Sequence, residues 1–371
     1  MSFFKNLKLE NFRNFNIYDL DLSNGCNILY GKNGIGKTNI LESISLFEKG
    51  GGFRKDKIEN FININSNKKN FTIEAILDDK NNELNLLITN KFQNNKQNKI
   101  ISINGSTTTE SIKYFHNIFS IISFLPEMER LFLISPSNRR NFFDRLIYSA
   151  DKEYIKNLNQ YKKKILERFN ILKNDHFDID WINKIEEDIV NVGMIIYKKR
   201  LKHIDILNKY LEKLEIKQKN LYKINLNLED EMIKINDKSL DKMKEFFMDK
   251  IKNNRKIDAL VGGSKVGPHK TDILGLNILN GQKLNQFSTG QQKTVVLLII
   301  ISQCTFLINE LSIKPIILFD EVCSHLDDLN REILLSLIES LDVQTIMTGT
   351  EQNFFSFLST KASYCNITEN K

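Results

Sequence analysis

Eight residues, Gly31-Lys-Asn-Gly-Ile-Gly-Lys-Thr38, constrain this chain more than any other stretch. Gly31, Gly34 and Gly36 carry no Cβ, so the backbone there can take left-handed dihedrals and turn successive N–H groups onto phosphate oxygens. Lys37 is then placed to reach the β- and γ-phosphates, and the Thr38 hydroxyl to ligate magnesium. Such a loop needs a strand before it and a helix after it. Residues 26–30 read as a short buried strand and residues 39–47 as a helix, which sets the anion on a helix N-terminus. The expected nucleotide contacts are Gly31, Lys32, Asn33, Gly34, Ile35, Gly36, Lys37 and Thr38. A glycine-rich turn without a ligand is the alternative, and the flanking pattern argues against it.

Far downstream, Lys314 and Pro315 precede the apolar run 316–319, which reads as a strand buried on both faces of a parallel sheet. Asp320 and Glu321 end it. Asp320 is placed to hold magnesium together with Thr38, and Glu321 to polarise an attacking water as general base, so the expected catalytic groups are Glu321, Asp320 and Lys37. Between the two motifs lies Ser288-Thr-Gly-Gln-Gln-Lys293, a helix start at which Ser288 or Thr289 can cap and Gly290 lets a phosphate approach. By itself it is equally an ordinary capped helix entering the apolar run 295–301. Its position before the acidic strand favours nucleotide contacts from Ser288, Gly290 and Gln291. Ser324-His-Leu-Asp327 follows the acids as a loop crossing to the other half of a nucleotide sandwich, with Asp327 as a further contact.

The four prolines, Pro126, Pro136, Pro268 and Pro315, all lie in or beside such segments. From 137 to 261 there is no proline and one glycine, Gly193, so nothing forbids long helices. Apolar residues recur there at helical spacing, as in Leu158, Tyr161, Ile165, Phe169 and Leu172, or Ile185, Ile189, Val192 and Ile196. This predicts a helical lobe over 116–261 inserted between two parts of an ATPase lobe, 1–115 and 262–371. Strands are expected at 71–77, 84–89 and 99–103, the last followed by the hairpin signal Asn104-Gly105, with the polar tract 93–98 as an exposed loop.

The insert carries Lys162-Lys-Lys164, Lys198-Lys-Arg200 and a basic stretch from Lys242 to Lys256, within a chain of net charge +7. These are either solvated helix faces or part of a polyanion footprint, since clustering in space is not visible in sequence. Four scattered cysteines, Cys26, Cys304, Cys323 and Cys365, suggest reduced thiols in the cytoplasm, and their spacing does not suit a metal site. His269 is either a polar group near the nucleotide or a satisfied buried histidine. No apolar run approaches the roughly 20 residues of a membrane span, and 295–301 reads as a buried helix.

The order of these motifs resembles the ATP-binding-cassette ATPases. Leu7-Lys-Leu-Glu-Asn-Phe-Arg-Asn-Phe15, Phe124-Leu-Pro-Glu127, Ser135-Pro-Ser-Asn-Arg-Arg-Asn-Phe-Phe-Asp144 and Gly267-Pro-His-Lys-Thr-Asp272 are similar, in order, to segments of the RecF family of bacterial replication and repair proteins. Met128-Glu129, Lys270-Thr271 and Gly51-Gly52 depart from that family's pattern, and Glu321 stands where it often has Asp. In place of a switch histidine the chain has Thr345-Ile-Met-Thr-Gly-Thr350, which leaves Thr348 or Thr350 as the γ-phosphate contact. The resemblance implies an α/β, ABC-type P-loop ATPase head, SMC-like, with an inserted, mainly helical lobe and no long coiled coil. It implies ATP and Mg2+, weak DNA-stimulated hydrolysis, an ATP-dependent head-to-tail homodimer clamp and binding to single-stranded and gapped duplex DNA. It further implies RecR and RecO as partners in recombinase loading, a part in SOS induction, and no membrane partner. The motor subunit of a membrane transporter shares the three motifs and is the rival reading. It would lack the long insert and the Gly267-Pro-His269 segment.

Overall fold

The structure is a computed structural model that describes residues 2–48, 52–54, 56–79, 82–93, 96–174, 178–217, 222–234, 239–359 and 361–368. Gly51, at one of the departures noted above, lies outside them. The chain forms two compact units, Met1–Glu129 with Val296–Lys371, and Arg130–Val295.

The first unit opens with β1 (Ser2–Phe12), β2 (Phe15–Asp21), β3 (Cys26–Tyr30) and α1 (Lys37–Ser45), then β4 (Thr72–Asp79), β5 (Asn82–Gln93), β6 (Lys96–Ile103), α2 (Thr109–Ile118) and β7 (Ile121–Phe124). β1, β2, β4, β5 and β6 make an antiparallel sheet in the order β2-β1-β4-β5-β6. Residues alternate between inside and outside along β4, as expected for a sheet with one covered face. Within the polar tract expected as a loop at 93–98, Gln93 and 96–98 are strand instead, with Lys91 paired to Asn98, Phe92 to Gln97 and Gln93 to Lys96, while 94–95 lie outside the described residues. A long hairpin extends past the buried part of the sheet because its ladder is paid in backbone hydrogen bonds, which polar side chains do not disturb. Asn104 and Gly105 do turn with positive φ, 48° and 78°, yet only an isolated Ile103–Ser106 bridge follows before Thr108 caps α2.

The second unit holds α3 (Pro136–Ala150), α4 (Tyr154–Leu172), α5 (Ile179–Lys217), β8 (Ile224–Glu229), α6 (Leu240–Asn253), α7 (Arg255–Val261) and β9 (Asp272–Asn277). α4 and α5 run antiparallel, with Lys164 against Asp188 and Lys199 against Asn157. Their interface buries a polar centre: fully buried Arg168 meets Glu186 at 2.9 Å, Asp258 at 2.7 Å and the Ile251 carbonyl at 2.7 Å. Each of these charges is satisfied, and removing one partner would leave an uncompensated buried charge. The basic runs are therefore divided. Lys162, Lys163 and Lys198 are exposed, whereas Arg200 is buried on Asp144 at 2.8 Å and Lys164 is engaged by Asp188 at 3.1 Å.

α8 (Thr289–Leu311), β10 (Ile316–Phe319), α9 (Asp328–Glu339), β11 (Thr345–Gly349) and β12 (Ser363–Asn366) complete the chain. β3, β7, β10, β11 and β12 form a parallel sheet in the order β12-β3-β11-β10-β7. All four residues of β10 are buried, which is why the strand reads as an uninterrupted apolar run. In α8, the seven residues 295–301 are at most 1% exposed, because a helix apolar on every side must be covered on every side. It is the one described helix long and apolar enough to cross a membrane, and 72% of its apolar window is buried within the protein. The division between units departs from boundaries at 115/116 and 261/262. β7 is hydrogen-bonded to β10, which draws it into the first unit, and β9 is the antiparallel partner of β8, which keeps it in the second.

Candidate nucleotide site

Three adjacent strands of the parallel sheet, β3, β11 and β10, end together, and each delivers one part of a site at its carboxyl end, where open α/β sheets bind ligands. The loop 31–36 follows β3, Thr348 lies in β11, and Asp320 and Glu321 follow β10.

The loop glycines are obligatory for different reasons. Gly36 begins α1 with φ 110°, and a Cβ there would lie 2.6 Å from the Asn14 amide and from the Phe15 ring. Gly31, at φ 148°, would collide with the Ile367 carbonyl at 2.6 Å. Gly34, at φ 82°, faces open space, so only its dihedral excludes a side chain. Lys32, Asn33 and Gly34 are exposed, and the Ile35 carbonyl accepts a hydrogen bond of 2.8 Å from Asn14.

Lys37 is buried, and its ammonium donates to the Gly31 and Lys32 carbonyls at 2.6 and 2.9 Å. Burial lowers its pKa, opposed by the Glu321 and Asp320 carboxylates. A desolvated cation held only by carbonyls of its own loop is suited to a polyanion. The Thr38 hydroxyl donates to Asp320 Oδ1 at 3.0 Å, and Thr348 Oγ1 donates to the same oxygen at 2.7 Å. Thr348 Oγ1 in turn accepts the Glu321 N–H at 2.9 Å. Glu321 takes a left-handed conformation, φ 51°, that turns the chain out of the strand. Thr350 is exposed, so of the two threonines only Thr348 joins the acids. Paired oxygens from Thr38 and nearly buried Asp320 form a hard-oxygen set that fits a magnesium ion.

A supporting layer escaped the sequence reading. Asn14 bridges the loop and α1, donating to Ile35 and accepting from Asn39 at 2.8 Å. Arg13 grips buried Glu42 of α1 bidentately at 2.8 and 2.9 Å and reaches Asp56 at 2.9 Å. The Arg13-Asn14 pair stands in a conspicuous opening segment, but nothing local tells which distant helix it holds.

Asp327 caps α9, its carboxylate accepting from the Asn330 N–H at 2.8 Å. In the preceding loop, Ser324 and His325 lie against the carboxylate of Glu129 at 3.4 and 3.3 Å. Ser288, Gly290 and Gln291 belong to the other unit. There Ser288 and Gln291 close a reciprocal cap, Ser288 N–H to Gln291 Oε1 at 2.9 Å and Gln291 N–H to Ser288 Oγ at 3.3 Å. His269 is fully partnered inside its own unit: Nε2 donates to the Ser264 carbonyl at 2.8 Å, so Nδ1 accepts from Tyr161 OH at 2.8 Å. Burial lowers its pKa to about 4.

Residues 3–369 match the family model for the RecF/RecN/SMC N terminal domain. The chain is 31% identical over 370 residues to the DNA replication and repair protein RecF of Rickettsia typhi, covering 98% of this chain and 99% of that protein. To RecF of Rickettsia conorii it is 32% identical over 372 residues, with the same coverage. The solved structure of the recombination mediator protein RecF-ATPrS in the RecFOR pathway superposes with a TM-score of 0.81 at 25% identity, covering 99% of this chain and 96% of that one. An SmcHead bound to the C-winged helix domain of ScpA shares the fold, with a TM-score of 0.58 at 16% identity, 99% of this chain and 95% of that one. Matched along nearly its whole length, the chain belongs to the RecF family of DNA replication and repair proteins, SMC-like ATPases.

Proposed function

We propose that this chain binds and slowly hydrolyses ATP in the cytoplasm, and that ATP joins two copies head to tail into a clamp on DNA at single-strand gaps. The convergence of Lys37, Thr38, Asp320, Glu321 and Thr348 at the ends of three neighbouring strands carries this reading. Lys37 exchanges the Gly31 and Lys32 carbonyls for β- and γ-phosphate oxygens. Gly31, Gly34 and Gly36 let the loop N–H groups face the same oxygens. Thr38 and Asp320 would hold magnesium, which supplies positive charge to the phosphates. Glu321 takes a proton from the attacking water, oriented by the hydrogen bond between its own N–H and Thr348.

Ser288, Gly290 and Gln291 of one copy cover the nucleotide held by the other, and Asp327 takes part from the loop between. The exposed Ser288 cap has its helix N-terminus available to an incoming phosphate. ATP bound across the interface stabilises the dimer by mass action, and hydrolysis releases it. On DNA, whose binding accelerates turnover, the dimer assists RecR and RecO in loading recombinase and so promotes SOS induction.

Equimolar mixing tests the composite site. Lys37→Ala and Ser288→Arg each abolish turnover alone, yet a mixed dimer retains one intact pocket and should recover part of the wild-type rate. ATPase assays with and without gapped duplex read the result; mixing that restores nothing refutes the shared pocket.

A further inference from the structure

The second unit carries an apolar knob that its own core does not use. α7 contributes Asp258 to the interior, where it meets Arg168 at 2.7 Å and the Lys265 N–H at 2.8 Å. Ile257, Leu260 and Val261 recur at i, i+3 and i+4 and are 46%, 87% and 56% exposed. The chain then turns at Gly262, φ 76°, where a Cβ would sit 3.4 Å from the Phe169 ring. Lys173 covers that ring, its ammonium 4.7 Å from the centroid.

Three exposed lysines flank this knob. In the two segments that form it, 169–174 and 254–266, the exposed charged residues are Lys173, Lys256 and Lys265, while the only carboxylate, Asp258, is buried. The remaining cation, Arg255, is committed to Glu186 and Asn183. Single exposed leucines are ordinary, but an aliphatic cluster on one helix face beside three exposed lysines has the make-up of a docking surface.

The geometry points to Ile257, Leu260 and Val261 as the seat of a protein partner that presents an amphipathic segment, apolar along its ridge and acidic along its flanks. Aliphatic side chains supply burial to such a ridge, and Lys173, Lys256 and Lys265 meet the flanking carboxylates. Nucleic acid fits less well. Bases stack on aromatic rings or free guanidinium groups, and here the ring lies under Lys173 and the guanidinium is held by Glu186.

The probes are three fluorescent helical peptides of equal length with one leucine face and a polar face of glutamate, glutamine or lysine, titrated by anisotropy against the full chain. The glutamate peptide should bind about ten-fold tighter than the glutamine peptide and lose that advantage at high salt. Leu260→Gln should weaken it about ten-fold, as should Lys173→Gln/Lys256→Gln/Lys265→Gln together. Melting temperature and circular dichroism of each variant confirm the fold, and Val261→Thr supplies an isosteric second variant should Leu260→Gln unfold. Equal binding of the glutamate and glutamine peptides, or indifference to both apolar variants, overturns the proposal. So does a lysine-triple variant that loses gapped duplex while peptide binding stays unchanged.

Discussion

Thr348 donates its hydroxyl proton to Asp320 Oδ1 at 2.7 Å, so the middle strand of the site holds the acid of its neighbour. The same oxygen of Thr348 receives the Glu321 N–H at 2.9 Å. One hydroxyl thereby holds the carboxylate of Asp320 and the backbone of Glu321. Thr348→Val keeps the shape and removes the hydroxyl, leaving a half-buried N–H without its acceptor and a buried carboxylate short of one donor. We expect a stability loss of about 1–3 kcal/mol by denaturant melts and a turnover loss of at least about ten-fold with ATP affinity little changed. Thr348→Ser should recover most of the rate.

Lys37→Ala removes the buried cation that spans the loop. Nucleotide binding by calorimetry should vanish, while thermal stability should hold or rise, because the lysine is charged in a desolvating setting. Undiminished ATP affinity would place the phosphates elsewhere.

Glu321→Gln separates binding from chemistry. ATP affinity should stay within a few-fold, turnover should fall by about 100-fold or more, and the ATP-bound dimer should accumulate in light scattering. A wild-type rate in this variant would assign the general base to another group.

Gly34→Ala and Gly36→Ala discriminate two kinds of constraint. At Gly34 only the left-handed dihedral opposes a side chain, a cost of about 1 kcal/mol. At Gly36 the new Cβ also meets Asn14 and Phe15, so this variant should be the less stable of the two and the poorer ATP binder. A reversed order in melting experiments would contradict the loop geometry.

His269 predicts a pH signature. Its native pKa of about 4 lies below the ordinary 6.5, so the unfolded chain binds a proton between those values that the native chain does not. Stability from this group is complete above pH 6.5 and is lost as pH falls toward 4, by up to about 3 kcal/mol. The stability difference between wild type and His269→Gln should therefore narrow across that window in urea melts and stay constant above it.

Much of the site can be read from local pattern. The loop 31–38 has the spacing that phosphate binding demands, and the run 316–319 announces a strand covered on both faces and ended by two acids. The helices of the insert follow from their apolar period and from the scarcity of proline and glycine between 137 and 261. The strand β8 was not legible, because its alternation sits in a helical insert and acquires meaning only from antiparallel pairing with β9.

Charge was the least legible property. Lys198, Lys199 and Arg200 form one basic run in sequence, yet a helix turns each by about 100° from the last. The first is in water, the second is beside Asp151, and the third is buried on Asp144. His269 likewise looked equally suited to a ligand and to a core until Tyr161 and Ser264 occupied both its nitrogens.

By itself the sequence determined which segments could cradle phosphate, bear the acids and run as helices, since each depends on residues a few positions apart. Only the tertiary structure decided that Thr348 joins Asp320, that Asn14 and Arg13 brace α1, and which lysines remain in water. Those choices are contacts between residues tens to hundreds of positions apart, created when strands pair and helices pack.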